Sequence, residues 1–121
     1  MLTHTCIGTN DLPRAGAYYD SLLSLLGAKR VFEGDRGISW GTGQRPNFSV
    51  LLPFDGKPAT VGNGCMISFA APDTATVQAV HAKALELGSK DEGAPGLRGM
   101  QHYGAYWRDL DGNKLAVFTM V

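Results

Sequence analysis

The sequence predicts an α+β fold, a single domain over residues 1–121 made of two βαβββ modules. Three observations predict it. Sixteen glycines spread through 121 residues suit short strands and tight turns better than a helical bundle, where an interior Gly costs up to ~1 kcal/mol. Two segments depart from that pattern with clear helical spacing of their apolar positions. The two segments also end alike, in Leu26-Gly27-Ala28-Lys29 and Leu87-Gly88-Ser89-Lys90, 61 positions apart, as a duplicated unit would.

The elements follow in order. Residues 2–8 are an apolar, strand-like run. Over 11–26, Ala15, Tyr19, Leu22, Leu23 and Leu26 recur at helical spacing, with Asp11 as the cap, Pro13 in the first turn and Gly27 as the terminator. Strands are expected at 30–33, 38–41 and 48–52, which closes a first module at about 58. A short linker at 56–62 leads to a strand at 65–70. The second helix spans 73–87, carried by Val77, Val80, Ala84 and Leu87, capped by Asp73 and ended by Gly88. A weak strand at 89–92 and strands at 103–109 and 114–120 complete a second module, 62–121. The last two form a hairpin, because Asp111-Gly112-Asn113 tolerates positive φ at its turn. Residues 91–102 have loop composition and are expected to be mobile.

Composition excludes several function classes. Hydrophobic residues at 44% and charged ones at 18% describe a packed globular chain. Eleven basic and eleven acidic residues cancel, so there is no positive field to collect nucleic acid or a membrane surface. A near-neutral small domain gains little colloidal protection from charge, which favours a homodimer. Cys6 and Cys65 are too few for a disulfide scaffold, and no charged segment followed by an apolar one opens the chain, so the expected compartment is the cytoplasm. No apolar stretch approaches the ~18 residues a spanning helix needs.

Short motifs mostly reduce to turns. Asp109-Leu110-Asp111-Gly112-Asn113 resembles a calcium loop, but its Gly is fourth rather than sixth and Met120 holds the twelfth position where Glu is required. Gly37-Ile38-Ser39-Trp40-Gly41 matches a nucleophile-elbow pattern, yet the following Thr42-Gly43-Gln44-Arg45-Pro46 does not start the helix an elbow needs. Gly62-Asn63-Gly64 lacks the third glycine of a dinucleotide fingerprint. Of the three histidines, His81 lies on a helix beside Val80 and reads as structural. His4 shares a strand face with Cys6, a pairing of two soft ligands. His102 closes the glycine-rich loop beside Tyr103.

The paired βαβββ grammar, His4 on the first strand, Gly62-Asn63-Gly64 before the fifth and the run from Tyr106 to Lys114 before the last together resemble the vicinal oxygen chelate superfamily of glyoxalases, extradiol dioxygenases and bleomycin- and fosfomycin-resistance proteins. The resemblance covers essentially the whole chain. Its most specific part is the aromatic-x-R-D-x-D-G-N-K hairpin, and D-L-x-R-A-x-x-Y-Y-x-x-L-L in the first module adds to it. The resemblance implies that each module curls into half of a cupped mixed β-sheet, with metal ligands on the first, fourth, fifth and last strands in the metalloenzymes. His4 matches the first such position. The fifth-strand position falls on Met66, a thioether that a hard metal disfavours, and the last-strand position falls on Ala116, which has no donor atom. The fourth strand, Phe48-Ser49-Val50-Leu51-Leu52, has no carboxylate or imidazole. A catalytic divalent metal needs about three protein ligands, and one is retained.

The expectation is therefore a cup without a complete metal site that binds a small, partly aromatic or apolar molecule. Trp40, Tyr103, Tyr106 and Trp107 are its candidate walls, although alternation forbids Tyr106 and Trp107 from sharing a face. Arg98, His102 and Arg108 are its candidate polar contacts. No cofactor is expected. Two alternatives stay open: a metal-dependent glyoxalase-like lyase, isomerase or dioxygenase using His4, and a non-catalytic structural or partner-binding module.

Overall fold

The computed structural model describes residues 1–121. The chain divides into two compact units, Met1–Val61 and Gly62–Val121. The first contains β1 (His4–Gly8), α1 (Leu12–Ser24), β2 (Lys29–Gly34), β3 (Gly37–Gly41) and β4 (Asn47–Leu51). The second contains β5 (Ile67–Ala70), α2 (Thr74–Glu86), β6 (Lys90–Arg98), β7 (His102–Arg108) and β8 (Lys114–Met120). The fold is α+β, with one four-stranded mixed sheet per module in the orders β1-β4-β3-β2 and β5-β8-β7-β6. Only the β1–β4 and β5–β8 pairings are parallel.

Both helices form for the reasons their sequences supply. The Asp11 carboxylate accepts from the Arg14 N–H and that of Asp73 from the Thr76 N–H, so each satisfies a donor that has no partner within its helix. Both end in the same six-residue closure. The Ala28 N–H donates to the Leu23 carbonyl and the Ser89 N–H to that of Ala84, with Gly27 at φ 74° and Gly88 at φ 101°. Each helix covers one face of its own sheet: α1 packs on β2, β3 and β4, and α2 on β6, β7 and β8. No helix is long and apolar enough to cross a membrane.

Strand alternation gives each sheet a helix-covered core and a second, helix-free face. In the first unit Tyr19 of α1 meets Trp40 and Phe48 with ring centroids 5.5 and 4.9 Å apart. Arg30 reaches from β2 to the Asp20 carboxylate on α1, 2.8 Å away. Gly16 makes room for it, since a Cβ there would sit 2.7 Å from the guanidinium. In the second unit Val77, Val80 and Ala84 pack with Ala105, Trp107, Leu115 and Val117, all fully buried. His81 is buried with them, its Nε2 3.0 Å from Asp91, consistent with a structural role.

The structure corrects one element. Residues 91–102 are not a loop: β6 continues to Arg98 and turns through Gly99 and Met100 directly into β7. Its register against β7 shifts between Asp91 and Gly93 and again between Gly93 and Gly96. Pro95 lies inside the second irregularity, where its missing N–H costs no ladder bond, so glycines and proline mark bulges here.

Candidate functional site

The last hairpin sets the geometry. The buried Asp109 carboxylate accepts from the Asp111 and Asn113 N–H groups and from Asn113 Nδ2, each at 2.9 Å, and Gly112 turns at φ 89°. This is a side-chain-organised hairpin turn. It fixes the register Arg108↔Lys114, Tyr106↔Ala116, Gly104↔Phe118 and His102↔Met120. All eight residues therefore lie on the face turned away from α2, and pairing with β6 adds Gly93, Gly96 and Arg98.

On that face Tyr106 is the centre of a cluster. Its ring meets the Phe118 ring edge-on at 5.6 Å, and His102 meets Phe118 at 6.2 Å. The Arg98 guanidinium lies 5.4 Å from the Tyr106 centroid and the Lys114 ammonium 5.3 Å, approaching from the strands on either side of β7. Three glycines clear this space. A Cβ on Gly104 would run into the Phe118 ring, one on Gly93 would sit 2.9 Å from Tyr106, and one on Gly96 3.1 Å from Arg98. Arg98 is steadied by donating to the Ala94 and Leu97 carbonyls at 2.7 and 3.3 Å. Arg108 is already engaged, bonding Glu92 at 2.7 Å and the Gly112 carbonyl at 3.1 Å. That bond to Arg108 holds the Glu92 carboxyl below the usual carboxylate range, with Lys90 and Lys114 adding to the effect.

The predicted wall residues thus divide. Arg98, His102 and Tyr106 come together on the helix-free face. Trp40 and Trp107 do not join them: both are sealed beneath helices, at 1% and 0% exposure, and are corrected to core residues. Trp40 donates its indole N–H to Asp20 at 2.9 Å, and Trp107 lies 6.5 Å from His81. Tyr103 also turns toward α2, its hydroxyl accepting from Gln78 at 2.9 Å. Phe118 and Lys114 are the members that sequence reasoning missed. They were accessible to it, because an Asp-Gly-Asn turn after Arg108 fixes the register, and the diagonal neighbours of Tyr106 are then these two side chains.

The positions implied for a metal do not fit one. Counted from the helix caps Asp11 and Asp73, 62 positions apart, His4 corresponds to Met66, and the registers Cys6↔Ser49 and Ser68↔Ala116 make Ser49 and Ala116 equivalent. Ala116 is fully buried and has no donor atom, while the Ser49 hydroxyl is bonded to that of Ser39 at 2.7 Å. His4 is exposed, with its Nδ1 2.9 Å from the Thr3 hydroxyl. No three His, Cys, Asp or Glu side chains gather as ligands. A separate cleft of about 380 Å³ in the first unit is lined by Asn10, Arg36, Leu52, Lys57 and neighbours, and it contains none of the predicted site residues.

Comparison with known families then places the chain. A model described as the Glyoxalase/Bleomycin resistance protein/Dioxygenase superfamily matches residues 1–117. The chain belongs to this superfamily. Among solved structures, a glyoxalase/bleomycin resistance protein from Albidiferax ferrireducens T118 is 35% identical, with a TM-score of 0.88 over 98% of this chain and 97% of that one. A glyoxalase/bleomycin resistance protein/dioxygenase family enzyme from Burkholderia phytofirmans PsJN, 15% identical, shares the fold at a TM-score of 0.78 over 98% of each chain. A lactoylglutathione lyase from Agrobacterium tumefaciens, 22% identical, does so at 0.71 over 98% of this chain and 92% of that one. No curated protein matches the chain. Within the superfamily fold, the aromatic-x-R-D-x-D-G-N-K hairpin serves here to hold Tyr106 and Lys114 in register.

Proposed function

We propose that this superfamily member binds a small, partly aromatic or apolar organic molecule on the helix-free face of its second sheet, without a complete catalytic metal site. The observation that carries the reading is Tyr106 flanked by Arg98 and Lys114 and backed by Phe118, a flat apolar surface with a few polar groups at its edge. A family fold does not specify chemistry, so the reading rests on these side chains. The near-neutral charge favours a homodimer as the binding unit.

The test is a fluorescence and NMR screen of small aromatic compounds against the wild type and Tyr106→Ala, beside elemental analysis after incubation with nickel, zinc, manganese and iron(II) and extensive dialysis. The expected result is binding that perturbs Tyr106 and Phe118 and disappears in Tyr106→Ala, with no stoichiometric metal retained. A retained metal that is lost in His4→Ala would overturn the metal-free reading and restore lyase or dioxygenase chemistry. A wild type that binds none of the compounds would favour the structural or partner-binding module.

A further inference from the structure

We infer that the molecule taken by this face is an organic anion, with its flat body against Tyr106 and Phe118 and its carboxylate or equivalent acidic group held by Arg98 and Lys114. The inference rests on the small-molecule reading above and adds the ligand's charge. It starts from an imbalance. The chain as a whole has eleven positive and eleven negative side chains, yet register places Lys90, Arg98, Arg108 and Lys114 on this face, against the single carboxylate of Glu92 that reaches it from the bulge. Glu92, in the bulge beside them, bonds to Arg108. Arg98 and Lys114 form no ion pair with any carboxylate.

Each makes a different kind of contact instead. Two of the five guanidinium N–H donors of Arg98 are used on backbone carbonyls of its own strand, which orients the group over Tyr106 and leaves donors without a charged partner. The Lys114 ammonium rests near the same ring without a hydrogen bond of its own. Both cations lie within about 5.4 Å of one aromatic centroid, and contact with a ring quadrupole in partly solvated surroundings stabilises a cation less than a charge-assisted hydrogen bond to an acid group does. An acid group at the edge of the Tyr106 ring supplies the charged acceptor that both cations lack. Gly93, Gly96 and Gly104 remove the side chains that would otherwise occupy the space in which Arg98 and Phe118 lie. The site therefore combines a cleared apolar floor with a half-buried cation on either side of Tyr106.

Two probes of one shape and different charge test it: 1-naphthoate and its neutral amide, 1-naphthamide. Each is titrated by NMR into the wild type, Lys114→Gln and Arg98→Gln. The Lys114 side chain makes no hydrogen bond, so its replacement leaves the hairpin intact, and it controls for any loosening of the bulge in Arg98→Gln. The expected result is naphthoate bound roughly tenfold more tightly than the amide by the wild type, with the ratio falling toward one in each variant. Equal affinities for the two probes in the wild type would overturn the anion assignment and leave the small-molecule reading standing. A naphthoate preference that survives both substitutions would also overturn it, by placing the acid group elsewhere. Failure of both probes to bind would overturn the assignment together with the reading beneath it.

Discussion

Asp109 is the residue on which the candidate site depends without belonging to it. Its carboxylate collects three donors of the turn from a position only 6% exposed, so removing it leaves half-buried N–H groups without that acceptor. Asp109→Ala is expected to cost about 1–3 kcal/mol in urea denaturation and to broaden the Tyr106 ring resonances as the hairpin register loosens. Asp109→Asn keeps one acceptor oxygen and should lose less. Trp40 illustrates the opposite outcome for a residue expected at the site. An indole is the largest apolar group available to close the core under α1, and Asp20 supplies the acceptor that its N–H needs in that position. Trp40→Phe should therefore lower stability by about 1–3 kcal/mol through the orphaned polar contact and lost volume, with ligand affinity unchanged.

At the scale of elements, the helices follow directly from local chemistry and β6 does not. Caps, apolar spacing and terminal glycines are all local signals, and α1 and α2 begin one residue after the predicted cap aspartates. β6 contains two glycines and a proline within nine residues, a composition that reads as loop until β7 is present to pair with it. Its partner supplies the ladder, the bulges absorb Pro95, and the bulge glycines then serve the site by making room for Arg98. The same logic gives a prediction on β7. Gly104→Val places side-chain atoms where the Phe118 ring lies, so the ring must leave Tyr106. The expected result is a loss of about 1–3 kcal/mol, loss of the ring-current shifts between Tyr106 and Phe118, and loss of binding by the naphthoate probe.

For the molecule as a whole, four carboxylates share one direction of titration. Asp20 is held low by its bond to Arg30, Asp73 by its bonds to Thr76, Asp91 by the Gly93 N–H and then His81, and Glu92 by Arg108. A group whose folded value lies below its unfolded one contributes stability above the unfolded value, and that contribution is lost as pH falls through the folded value. The urea midpoint is therefore expected to decline once the pH drops below about 4. Asp20→Asn should begin from lower stability and show a shallower acid decline. A midpoint that instead rises on acidification would contradict these assignments. The partners of all four carboxylates lie within their own unit, so each unit contributes to the acid response through its own contacts.

By itself, the sequence determined the α+β class, the order of elements in two βαβββ modules and the superfamily, because caps, helical periodicity and the Asp-Gly-Asn turn act through neighbours within a few positions. It also identified the weak metal positions, since Met66 and Ala116 lack suitable donor chemistry wherever they lie. Only the tertiary structure decided which aromatic residues face the helices and which do not. Tyr106 and Trp107 are adjacent and equally suited to either role, and a shift of one residue in register would exchange them. Burial of Trp107 under α2 settles that choice, and it carries Arg98, His102, Lys114 and Phe118 to the other face with Tyr106. The surplus charge of that face is likewise a property of strand pairing, because it depends on residues up to 24 positions apart in a chain whose total charge is zero.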